Sequence, residues 1–121
     1  VHPGAAPAVL PDLGASGERQ IGARAFDFHR QVAVMAIVNR TRDSFYDRGQ
    51  TFDLAPALAA VDTALRHGAD WIDIGGVPFS PVSEPVGVAE ELRRVVPVVA
   101  ATRARTDAVI SVDTTRAEVA R

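Results

Sequence analysis

Three polar side chains stand where apolar runs of this chain stop. Asn39 follows Val32–Val38, Asp73 with Gly75-Gly76 closes the run from Trp71 to Ile74, and Asp113 follows Val109–Val112. One amide and two carboxylates offer acceptor oxygens to ligand N–H groups and oxygen donors to a hard cation. Taken singly, Asn and Asp also cap helices and anchor turns. Set together at the carboxyl ends of neighbouring strands, they would make one rim of acceptors.

Other constellations are weaker. The chain has no Cys, which excludes disulfides, thiolate metal sites and cysteine nucleophiles together. All 13 basic residues are Arg, so lysine-dependent covalent chemistry is excluded as well. His2, His29 and His67 lack metal-ligand spacing, and Ser44 and Ser80 have no partnered base. Neither a G-x-G-x-x-G run nor a P-loop is present. A net charge of −2 gives no electrostatic ground for a nucleic-acid backbone or an anionic membrane as partner.

The elements that must position the three acceptors follow from texture. Val32–Val38 is continuous and apolar, as in a parallel strand buried on both faces. Asp53 is a good N-cap, Pro56 is tolerated in a first helical turn, and Leu54, Leu58, Val61 and Leu65 share one helical face up to Gly68. Trp71–Ile74 reads as the second strand. A second helix carries Val88, Leu92, Val95 and Val99, with Pro97 inside it as an expected kink. Its Glu90-Glu91 and Arg93-Arg94 read as ion pairs on a solvated face, worth tenths of a kcal/mol at most. Val109–Val112 is the third strand, and Ala117–Arg121 begins a third helix. This alternation predicts a parallel α/β sheet, in which ligands bind at the carboxyl ends of strands.

Residues 1–25 hold Pro3, Pro7 and Pro11 with several glycines and no sustained apolar period, and read as a disordered lead-in. They lack the basic and apolar regions of a signal peptide, and no apolar run reaches the roughly 18 residues of a membrane span. The expected location is cytoplasmic. The chain begins with Val1 and its one Met is Met35, as in a fragment or a chain read from an alternative start codon.

Four runs, in order, resemble the dihydropteroate synthase family. Ile37-Val38-Asn39-Arg40-Thr41-Arg42-Asp43-Ser44-Phe45 is similar to that family's first strand and loop, which read Asn-Val-Thr-Pro-Asp-Ser-Phe. Gly68–Gly76 resembles its second strand, Val88–Val98 its second helix including the internal Pro, and Ile110–Thr114 its third strand. The resemblance covers residues 26–121. It implies the first three βα units of a (β/α)8 barrel. Such barrels run to about 250 residues, so it also implies the N-terminal portion of a longer protein.

The activity implied is displacement of pyrophosphate from 6-hydroxymethyl-7,8-dihydropterin pyrophosphate by p-aminobenzoate, with Mg2+ as cofactor. By resemblance Asn39 would hold the magnesium–pyrophosphate group, and Asp113 would accept hydrogen bonds from the pterin. Asp73 and Pro81 would also bind substrate. Asp43 would act catalytically by steadying positive charge at the pterin methylene, and Phe45 would wall the p-aminobenzoate pocket. A homodimer is implied for the full-length protein. Two departures stand out. After Gly75-Gly76 the family reads Glu-Ser-Thr-Arg-Pro, where this chain reads Val77-Pro78-Phe79-Ser80-Pro81. Arg40 and Arg42 replace Val and Pro, either as phosphate-binding cations or as solvated arginines. These departures leave a second reading, a pterin-phosphate binder without synthase activity.

Overall fold

A computed structural model describes residues 17–40, 54–77 and 85–121. Strands β3 (Met35–Asn39), β4 (Trp71–Gly75) and β5 (Val109–Asp113) form one parallel sheet in that order. Helix α1 (Leu54–Arg66) joins β3 to β4, α2 (Val88–Arg105) joins β4 to β5, and α3 (Ala117–Ala120) follows β5. This is the βαβαβα order expected from the apolar periods. Gly68, at a φ of 90°, turns the chain out of α1 toward β4, a conformation that favours glycine.

The core lies between the sheet and its helices. Ile72, Ile74 and Val38 meet Ala57 and Val61 of α1 and Val95 and Val98 of α2, with Leu54, Leu58, Leu65 and Val99 packed around them. Alternation along each strand sends the other side chains to the opposite face. There the register makes three layers: Met35–Trp71–Val109, Ile37–Asp73–Ser111 and Asn39–Gly75–Asp113. This inner face is not the second apolar face expected for these strands. It carries an amide, two carboxylates and a hydroxyl. Met35 and Ile37 are 50% and 64% exposed on it.

Regular structure is also present before residue 26. Residues 18–25, assigned above to a disordered lead-in, belong to an antiparallel hairpin of β1 (Glu18–Ile21) and β2 (Arg24–Asp27). Gly22, with a φ of 59°, sits in its two-residue turn. Arg24 anchors the hairpin to the amino-terminal end of the parallel sheet, opposite the acceptor rim. Its Nε and second guanidinium nitrogen donate to Asp107 Oδ1 at 3.0 and 2.7 Å, and it lies 3.8 Å from Asp70.

The hydrogen bond from Arg24, reinforced by its charge, holds the Asp107 carboxyl below the usual carboxylate range. A carboxyl lowered on folding contributes stability above its unfolded value and loses it as pH falls through the folded value. The anchor is therefore expected to persist through the ordinary carboxylate range and to release only at more acidic pH. NMR titration of the Asp107 carboxyl checks this, since Arg24→Ala should return its midpoint upward.

Candidate functional site

The carboxyl ends of β3, β4 and β5 open into a cavity of about 600 Å³. Asn39, Asp73 and Asp113 all line it, with Ile37, Val77, Pro85, Val86, Glu91, Thr114, Thr115 and Arg116. Asn39 and Asp113 occupy the rim on either side of Gly75. A Cβ on Gly75 would come within 3.0 Å of Asn39 Oδ1 and 3.8 Å of Asp113 Cβ. Glycine there leaves the gap across which the two side chains converge. Asp73 does not end its strand as expected: β4 continues to Gly75, which places Asp73 one layer deeper, beside Ser111. Ser111 Oγ donates to Asp73 Oδ1 at 2.5 Å. Asp43, Phe45 and Pro81 lie outside the described residues.

Helix α2 corrects another expectation. Its buried stripe is Glu91, Arg94, Val95, Val98 and Thr102, rotated from the Val88–Leu92–Val95–Val99 face read from the sequence. Glu91 is 0% exposed and Arg94 6%, so only part of the charged run is solvated. Arg94 donates to the Gly76 carbonyl at 2.8 Å and to Glu90 at 3.0 Å, tying the helix to the end of β4. Glu91 Oε2 lies 3.5 Å from Arg116 Nε, while Arg116 also donates to the Val86 carbonyl at 2.6 Å. Arg116 thereby joins the segment entering α2 to the turn after β5, across the mouth of the cavity. The i, i+3, i+4, i+7 spacing of 91, 94, 95 and 98 carried this face, but its charges disguised it.

Gly76 lets α2 come this close. A Cβ there would lie 2.9 Å from Val95 Cγ2 and 3.2 Å from Arg94 Cβ. Gly76→Ala is therefore expected to destabilise the fold by about 1–3 kcal/mol, the usual range for overpacking. Denaturant unfolding of the two proteins measures it.

Arg40, read from the sequence as a phosphate-binding cation or a solvated arginine, is half-buried and bonded to the backbone of α2. Pro97 lacks the N–H that would bond the Arg93 carbonyl four residues before it. Arg40 donates to that carbonyl and to the carbonyl of Arg94, each at 3.2 Å. The guanidinium at the end of β3 thus serves the backbone group that the proline leaves open, and α2 runs on through Pro97.

Residues 35–121 match the pterin-binding enzyme family. A Synechocystis dihydropteroate synthase is 45% identical over 101 residues, spanning 84% of this chain. The chain belongs to the dihydropteroate synthase family. It is also 56% identical, over 73% of its length, to the inactive dihydropteroate synthase 2 of Mycobacterium leprae. The Yersinia pestis dihydropteroate synthase in a sulfonamide drug complex superposes with a TM-score of 0.73 at 42% identity, over 84% of this chain and 37% of that one. The chain spans about a third of the length of its curated relatives, 35% of the Synechocystis protein and 30% of the M. leprae protein. These likenesses agree with the parallel β3-β4-β5 sheet and its helices as part of an α/β barrel. Among the described residues, no helix is long and apolar enough to cross a membrane.

Proposed function

We propose that the cavity at the ends of β3, β4 and β5 binds the pterin pyrophosphate of dihydropteroate synthesis. In this reading the full-length protein condenses it with p-aminobenzoate. The observation that carries the reading is the convergence of Asn39, Asp73 and Asp113 on one cavity in a chain of this family. Asp113 offers paired acceptors to the amino and ring N–H groups of a pterin edge. Asn39, a neutral amide at the rim, can face phosphate oxygens without charge repulsion. Asp43 would steady the methylene carbon as pyrophosphate departs, with Phe45 and Pro81 beside the p-aminobenzoate; these roles rest on the family pattern.

The residues present fit Mg2+ held chiefly by pyrophosphate and water. Among the described residues no group of three His, Asp or Glu could cage an ion, and Mg2+ usually keeps several waters and few protein ligands. When bound, the ion would neutralise charge on the departing pyrophosphate, and Asn39 would be the protein oxygen that locates it.

A second reading keeps the pterin site and gives up the transfer. The family's Thr and Arg are replaced by Phe79 and Ser80, and 56% identity to a relative named inactive favours it. Calorimetric titration of the full-length protein with the pterin pyrophosphate, with and without Mg2+, tests the shared part. Saturable binding supports a pterin site, and no heat overturns both readings. Adding p-aminobenzoate separates them, since only the transferase releases pyrophosphate and dihydropteroate.

A further inference from the structure

Below the rim, the two deeper layers hold a hydrogen-bonded chain with a fixed direction. Trp71 Nε1–H donates to Ser111 Oγ at 2.9 Å, and Ser111 Oγ–H donates to Asp73 Oδ1 at 2.5 Å. An indole N–H can only donate, so Ser111 must accept from Trp71 and has its single proton left for Asp73. Asp73 Oδ1 is thereby an acceptor, at the distance of a hydroxyl bonded to a carboxylate. The three residues share the inner face, with Asp73 and Ser111 as register partners and Trp71 two residues before Asp73 on β4. Asp73 Oδ2 accepts no hydrogen bond among the described residues, and Asp73 lines the cavity.

We propose that Trp71 and Ser111 are positioning residues that lock Asp73, leaving Oδ2 for an N–H donor of a planar heterocycle in the cavity. The indole N–H then reports, through Ser111, whether that donor is present. The identity of the heterocycle rests on the pterin reading; the direction and rigidity of the relay do not. A serine that could turn freely would present Asp73 with a proton only part of the time. The indole removes that freedom by occupying the hydroxyl's acceptor side. Specificity follows, because a fixed acceptor distinguishes a ring N–H from a ring oxygen or carbonyl at the same place.

The test uses the full-length protein labelled with 15N in its tryptophan indoles, with the Trp71 resonance identified by its loss in Trp71→Phe. Without ligand, the Trp71 indole proton should exchange slowly with water, and at least tenfold faster in Ser111→Ala, while Ser111→Thr keeps it slow. Saturating 6-hydroxymethylpterin should shift this resonance in the unsubstituted protein and in Ser111→Thr, and leave it in place in Ser111→Ala. Ser111→Ala should also bind the pterin about fivefold more weakly, the scale of one orienting hydrogen bond, with Ser111→Thr within twofold of the unsubstituted protein. Equal affinity in Ser111→Ala, or an indole proton that exchanges as fast as a free one, overturns the proposal. Absence of pterin binding in the unsubstituted protein overturns the pterin reading and the ligand-reporting half with it. The exchange measurements then decide the relay by themselves.

Discussion

Asp113→Ala is expected to weaken pterin binding at least tenfold in the full-length protein while leaving its fold intact. β5 delivers the carboxylate to the rim in register with Gly75 and close to Asn39. Two N–H groups on a pterin edge need two acceptors side by side, and a carboxylate supplies both. Each hydrogen bond to a charged acceptor is worth about 1.5–3 kcal/mol, and about 1.4 kcal/mol is a factor of ten in affinity. Losing one is thus enough for the expected effect. The fold should be indifferent for a separate reason: among the described residues no donor is bonded to the Asp113 side chain, so truncation orphans nothing buried. A surface change of that kind shifts stability by about 0.5 kcal/mol or less. Calorimetry and thermal unfolding measured together decide it. An unchanged dissociation constant in a folded variant removes Asp113 from the site.

The parts of this molecule that were legible in the sequence are those where one chemical period dominates. The first parallel strand, the leucine face of α1 and the Gly68 stop each follow from backbone and side-chain preferences acting over a few residues, although that strand is Met35–Asn39 and the Val32 and Val34 of the run read as strand precede it, 86% and 55% exposed. The acceptor rim was legible for the same reason, since a polar residue closing an apolar run must sit at a strand end or next to one. What stayed hidden depends on contacts distant in sequence. Arg40 meets the Arg93 carbonyl only because β3 ends beside the turn of α2 that Pro97 leaves incomplete. Glu91 is fully buried with the Arg116 guanidinium, from the turn after β5, 3.5 Å from its carboxylate. Neither fact has a local signature. The hairpin is a different case. Its Gly22 turn signal was present, but β1 and β2 are four residues each and mostly polar, too short for alternation to stand out from a Pro- and Gly-containing background.

On the synthase reading proposed above, restoring the family pattern by Phe79→Thr with Ser80→Arg is expected to raise any transferase activity of the full-length protein about 10–100-fold. That range is the value of one charge-assisted hydrogen bond, about 1.5–3 kcal/mol, at about 1.4 kcal/mol per tenfold in rate. By the family pattern a guanidinium at this position pairs with an anionic substrate group, and a guanidinium can do so in fork geometry where a hydroxyl cannot. Among the described residues little compensates for the loss of that guanidinium. Arg40, the nearest cation by sequence to the Asn39 rim, is held on the α2 backbone by two hydrogen bonds. Arg116 is likewise engaged by Glu91 and the Val86 carbonyl. If the loop limits catalysis, the gain should appear in turnover with p-aminobenzoate, while the affinity for pterin pyrophosphate, which the proposed site assigns to Asn39, Asp73 and Asp113, should stay within about threefold. A double variant that binds pterin normally and makes no more product would place the deficit outside this loop. The substitution of Arg40 and Arg42 for the family's Val and Pro would be the next position to reverse. Arg40→Val tests it with a built-in structural readout, because it also leaves the Arg93 carbonyl without its donor.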